Sequence, residues 1–190
     1  MLQLQQFFVK ERAGIFKTAN AYDILNPATQ QPVGVAQEKP NMLMRIIFKE
    51  KAPTAIEVRD TAGNLALTVH KPLALFGRPK IKVTDAAGAE LGYFVSKMFS
   101  IGGGFHVYTP QGQAMAEVKG NWKAKDFRMV TPDGTELGKV SKQWAGMAKE
   151  FFTSADNYVV GVADAVAGDV RTKVLMLAAA LTIDVVYNEG

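Results

Sequence analysis

Short runs of alternating apolar and polar residues fill most of this chain, and they come in pairs separated by turn chemistry. Five such pairs open at Tyr22, Ile56, Ile81, Phe105 and Phe127, about 22–34 residues apart. Their turns read Asn26-Pro27-Ala28-Thr29, Asp60-Thr61-Ala62-Gly63, Asp85-Ala86-Ala87-Gly88, Thr109-Pro110-Gln111-Gly112 and Thr131-Pro132-Asp133-Gly134. An Asn, Asp or Thr at the entry accepts a local backbone hydrogen bond, Pro presets φ, and Gly supplies a positive φ at the exit. Period-two alternation on both sides of each turn predicts strands with one buried face, so the repeat is a β-hairpin. Two further apolar segments, Phe7-Phe8-Val9 and Met42-Leu43-Met44-Arg45-Ile46-Ile47-Phe48, are read as additional strands. The total is ten to twelve. Closure into a barrel suits this number, because it leaves no sheet edge exposed.

The pattern changes after Lys142. Residues 143–152 place Trp144, Met147, Phe151 and Phe152 near one helical face and predict a short amphipathic helix or turn. From Val170 onward the chain is almost wholly apolar and rich in Ala and Leu, which predicts a helix. Its uninterrupted apolar run, residues 174–183, is about half the ~20 residues that a bilayer core requires. A helix that is hydrophobic all round belongs inside something. Val174, Leu175, Leu177, Ala178, Leu181 and Ile183 are therefore expected to form the core of a barrel that encloses the helix.

The block Trp144-Ala145-Gly146 through Glu150-Phe151-Phe152-Thr153, then Ala155-Asp156-Asn157-Tyr158, then the apolar helix ending Ile183-Asp184, resembles the C-terminal part of phospholipid scramblases. The hairpins, with Gly138-Lys139-Val140-Ser141-Lys142, are similar to plant LURP-one-related proteins. Both groups belong to the superfamily of the Tubby C-terminal domain. The resemblance covers nearly the whole chain. It implies a single domain over residues 1–190, mainly β: a closed barrel of about twelve strands around a hydrophobic C-terminal α-helix. It also implies a calcium segment, with Asp156 and Asp164 as the acidic candidates. Ser154 stands where the scramblase pattern opens with an acid. A hard cation takes six to eight oxygens. Capping of a local turn is the competing role for Asp156 and Asn157.

Composition narrows the chemistry. The 190 residues contain no cysteine, which excludes disulfides, thiolate metal sites, a Cys nucleophile and S-acylation. The start of the chain shows no basic segment followed by a long apolar run, so no signal peptide is expected. His70 and His106 lie in different repeats, and neither sits in a catalytic motif. The run Gly102-Gly103-Gly104 precedes a strand rather than a helix, unlike a phosphate loop. No catalytic apparatus is recognisable.

Net charge is +4, with basic residues gathered at Lys71, Arg78, Lys80 and Lys82 and again at Lys119, Lys123, Lys125 and Arg128. On one barrel face these would suit phosphoinositide or other anionic headgroups, the use made of Tubby-like domains. Ordinary solvated surface is the plainer alternative. No aromatic platform for nucleic acid is visible. The expected protein is a monomeric, non-enzymatic binding domain, cytoplasmic and peripheral at the membrane. A module that binds another protein without lipid is the second possibility.

Overall fold

In the computed structural model, residues 1–12, 19–97, 103–121, 126–141 and 157–187 are described, without the side chains of Glu50 and residues 184–187. The first six strands are β1 (Gln6–Glu11), β2 (Ala21–Leu25), β3 (Pro32–Pro40), β4 (Thr54–Asp60), β5 (Leu65–Lys71) and β6 (Ile81–Asp85). The second six are β7 (Glu90–Ser96), β8 (Gly104–Tyr108), β9 (Ala114–Asn121), β10 (Asp126–Val130), β11 (Glu136–Ser141) and β12 (Tyr158–Val162). Each pairs antiparallel with its chain neighbours, and β1 pairs with β12 to close the barrel. Among the described residues there are two α-helices, α1 (Met42–Phe48) between β3 and β4, and α2 (Val170–Tyr187) after β12.

All five predicted hairpins form. Each carries a register shift where the return strand leaves the turn, as at Val58/Arg59 and Val83/Thr84. The cause is local: Gly63, Gly88, Gly112 and Gly134 adopt φ of 83–92° and donate their N–H groups back to residues 60, 85, 109 and 131, while in the first hairpin Gln30 takes this place with φ 59° and donates to Asn26. A turn that ends in a left-handed glycine produces such a bulge. Asp60 shows why an acid stands at the entry. Its carboxylate accepts from the backbone N–H of Ala62 and Asn64, both at 2.9 Å, and from the Asn64 side chain. These bonds to Asn64 hold its pKa below the usual carboxylate value.

One assignment of a strand requires correction. Met42–Phe48 is a helix, not a strand. Asn41 caps it, its side-chain oxygen accepting from Met44 N–H at 3.2 Å. Met, Leu and Arg all tolerate helix well, and the segment lacks the alternation that a half-buried strand needs. The twelfth strand is instead Tyr158–Val162, which is buried along its whole length and closes the barrel between β1 and β11. The amphipathic segment expected at 143–152 lies outside the described residues.

The apolar helix is inside the barrel. Residues Val174, Leu175, Leu177, Ala178, Leu181 and Ile183 are each no more than 2% exposed, and they join one core with inward-facing residues such as Phe7, Ile24, Val58, Phe94, Phe105, Phe127 and Val160. Asp169 caps the helix by accepting from Arg171 N–H at 3.0 Å and from the Thr172 hydroxyl at 2.6 Å. Cations at a helix N-terminus oppose its dipole, so their partners matter. Arg171 donates to the Leu91 carbonyl at 2.9 Å, and buried Lys173 to the Leu2 carbonyl at 3.2 Å. These bonds fix α2 to β7 and to the segment before β1. Among the described residues, no helix is long and apolar enough to cross a membrane.

Candidate functional site

Antiparallel pairing places residues opposite one another on the same face. The registers of β3 to β6 run Lys39 to Ala55, Ala55 to His70 and His70 to Lys82, so these four form one row across the outside of the barrel. Ala55 is small and lies between long side chains, which leaves a depression. The resulting open pocket, about 490 Å³, is also lined by Thr54, Lys71 and Lys80. Four lysines and a histidine therefore converge on one concave surface. Lys82 is shared with Glu90 at 2.9 Å, and Lys39 donates to Gln37 at 2.9 Å. Lys80 stands 4.7 Å above the ring of Tyr93, which stacks on Tyr108 at 5.2 Å. Tyr93 is opposite Lys82 in the β6–β7 register.

Of the predicted first cluster, Lys71, Lys80 and Lys82 are brought together, while Arg78 turns away. It donates to the Ser96 carbonyl at 3.1 Å. There burial first, and then the charges of Lys97 and Arg78, hold the His106 pKa below its ordinary value. Lys97 pairs with Glu117, and its own pKa is lowered by burial and by Lys119. In the second cluster Lys119 and Arg128 face each other across β9 and β10, and Lys139 is opposite Arg128 on β11. Arg128 lies 3.7 Å from Glu136. Lys123 and Lys125 fall outside the described residues. The second group is a row on convex surface. The first, without Arg78, lines the open pocket.

Lys39 and His70 belong to the pocket, yet neither was among the predicted headgroup residues. Their meeting depends on the register of three strand pairs.

The two ends of the barrel differ in charge. Tight turns bearing Asp60, Asp85 and Asp133 lie at one end. At the other, the connections 41–53 and 72–80 and the adjoining strand end carry Arg45, Lys49, Lys51, Lys71, Arg78 and Lys80. The two connections touch, since Ala74 N–H donates to the Lys51 carbonyl at 3.0 Å.

Helix α1 is held across this basic end by Glu38, a carboxylate only 2% exposed. Glu38 accepts from Asn20 N–H at 3.0 Å and from the Thr54 hydroxyl at 2.9 Å, and Arg45 of α1 lies 3.8 Å away. Replacing Glu38 by Ala strands a backbone donor and a hydroxyl. The expected loss is about 1–3 kcal/mol in equilibrium urea unfolding, with Glu38→Gln retaining part of it. An unchanged midpoint for Glu38→Ala rules out the anchoring role.

Of the two acidic candidates, only Asp164 falls within the described residues; Asp156 lies outside them. Asp164, in the short turn Asp164–Val166, accepts from the Gln5 side chain at 2.6 Å. Asp169 is occupied in capping α2. Among the described residues, no three His, Cys, Asp or Glu side chains group closely enough to hold a metal ion.

Comparison with known proteins identifies relatives along the whole chain. The chain is 26% identical over 208 residues to rat phospholipid scramblase 1, spanning 100% of this chain and 61% of that protein. Human phospholipid scramblase 1 is 25% identical over 199 residues, covering 98% of this chain and 62% of the relative. Human phospholipid scramblase 2 is 24% identical over 198 residues, covering 97% and 66%. The chain thus spans about three fifths of the length of the first curated relatives it matches. No solved structure matches it significantly. The Scramblase family pattern matches residues 2–190, so the chain belongs to the Scramblase family.

Proposed function

We propose that this domain binds anionic phospholipid headgroups at a membrane surface, as a peripheral protein and without covalent chemistry. The observation that carries the reading is the pocket where Lys39, His70, Lys71, Lys80 and Lys82 converge. A phosphate accepts hydrogen bonds and carries charge, and several ammonium groups on a concave surface meet both needs. The names of the relatives, phospholipid scramblases, favour lipid over other anions. The reading is of headgroup binding, not of lipid movement between leaflets. Helix α2 gives its apolar residues to the barrel core rather than to acyl chains.

A basic residue near an anionic surface contributes about 1 kcal/mol, or about fivefold in affinity. The variant Lys71→Glu/Lys80→Glu is therefore expected to lose at least about tenfold in co-sedimentation with phosphatidylcholine vesicles containing phosphatidylserine or a phosphoinositide. Lys119→Glu/Arg128→Glu is the control on convex surface, with a smaller expected loss. Equal recovery on neutral and anionic vesicles sinks the proposal. A stable protein partner recovered in its place points to the interaction-module alternative.

A further inference from the structure

Helix α1 is inside out. Its charged residue, Arg45, faces the barrel and the buried Glu38 carboxylate, while Leu43, Ile46 and Ile47 are 74%, 76% and 67% exposed. Met42 is half exposed. Beside it the connection 72–80, bonded to the segment after α1 through Ala74 and Lys51, carries Phe76 at 95% exposure and Leu75 at 43%. Every exposed large hydrophobic residue on the described surface except Val170 belongs to these two connections. Apolar side chains gathered in this way on a soluble surface mark a place of contact.

The surroundings state what the contact is. Lys49, Lys51, Lys71, Arg78 and Lys80 border the apolar tip, and the acidic turns are at the far end of the barrel. Apolar side chains ringed by cations match an anionic bilayer, with acyl chains beneath a negative headgroup layer. A protein interface core is also apolar, but a ring of lysines is unfavourable there, since Lys is depleted at such interfaces. Seven residues of helix are too short to span a membrane but long enough to wedge between headgroups.

We propose that the barrel docks end-on to an anionic bilayer, with Leu43, Ile46, Ile47 and Phe76 inserted among the upper acyl carbons. The inference rests on the headgroup-binding reading and adds the orientation and depth of the bound state. With α1 inserted, the Lys39–Lys82 pocket on the barrel flank near this end opens at headgroup level.

The absence of cysteine makes the test direct, because single cysteines can be placed and labelled with a polarity-sensitive fluorophore. Ile47→Cys and Phe76→Cys probe the tip, and Ala62→Cys probes the acidic end. On adding phosphatidylcholine vesicles containing phosphatidylserine, the first two labels should shift to the blue while the third does not. Separately, Leu43→Ser/Ile46→Ser should lower vesicle binding at least about tenfold with an unchanged urea midpoint. Sedimentation with vesicles but no shift at 47 and 76 overturns insertion and leaves headgroup binding standing. No sedimentation at all removes both. A shift at 47 that needs no vesicles and grows with protein concentration assigns the face to a second copy of the chain and overturns the proposal. A matching shift at 62 also overturns it.

Discussion

Leu177→Ala is expected to destabilise the protein by about 2–5 kcal/mol, near the top of that range. Leu177 is fully buried in the middle of α2, with a strand wall on all sides. The cost of such a cavity depends on how far the surroundings relax into it. Every strand here is hydrogen-bonded to two neighbours, so the wall cannot move inward without breaking its own ladder. The cavity stays open, and its lining loses its dispersion contacts. A loss of this size is a large part of the 5–15 kcal/mol that stabilises a typical domain. Leu177→Asp adds a buried charge without a partner and should give no folded protein. Urea unfolding followed by circular dichroism measures the first, with Val170→Ala on the exposed end of the same helix as a control within about 0.5 kcal/mol. A shift for Leu177→Ala no larger than the control's contradicts the enclosed helix.

The next largest effect concerns a residue with no side chain. A Cβ added at Gly138 would stand 2.5 Å from the Gly161 carbonyl oxygen of β12 and 2.8 Å from the Met176 terminal methyl of α2. Met176 can turn aside, being flexible. The carbonyl belongs to the strand that closes the barrel and cannot. Gly138→Ala should therefore cost about 1–3 kcal/mol by overpacking. Trimming Met176 to Ala removes one of the two clashes. The double variant should then be less destabilised than the sum of the singles by at least about 0.5 kcal/mol. Strict additivity would show that Gly138 and α2 do not touch.

The hairpins were readable because a turn encodes itself: Asp60 and Gly63 act within a few residues of each other, and the strand faces follow by alternation. The buried helix was readable because nothing in residues 174–183 suits water. Reading failed where the deciding contact was distant or the usual rule was reversed. The apolar run Met42–Phe48 suggests a strand, whereas this helix directs Arg45 inward and its apolar face outward. The capping side chain of Asn41 was the signal that favoured helix. Tyr158–Val162 is rich in valine and has the look of a strand, but it was absorbed into a supposed cation segment. The pocket was half legible. Lys71, Lys80 and Lys82 are near in sequence, while Lys39 joins them only through the pairing of β3, β4, β5 and β6.

The order of elements along the chain also bears on biosynthesis. Helix α2 follows all twelve strands, and β12 is the strand that seals β11 to β1. A growing polypeptide thus makes eleven strands before the two pieces that complete their interior exist. Until then residues such as Phe94, Phe105 and Phe127 lack the helix that covers them. Since α2 is fixed at its start by Leu91 and Leu2 carbonyls, its seating and the sealing of the barrel are a single late event. Contacts that wait on such distant partners form slowly. A nascent chain halted before Val170 should accordingly be a client of holding chaperones, and release of the last segment should be the step that frees it.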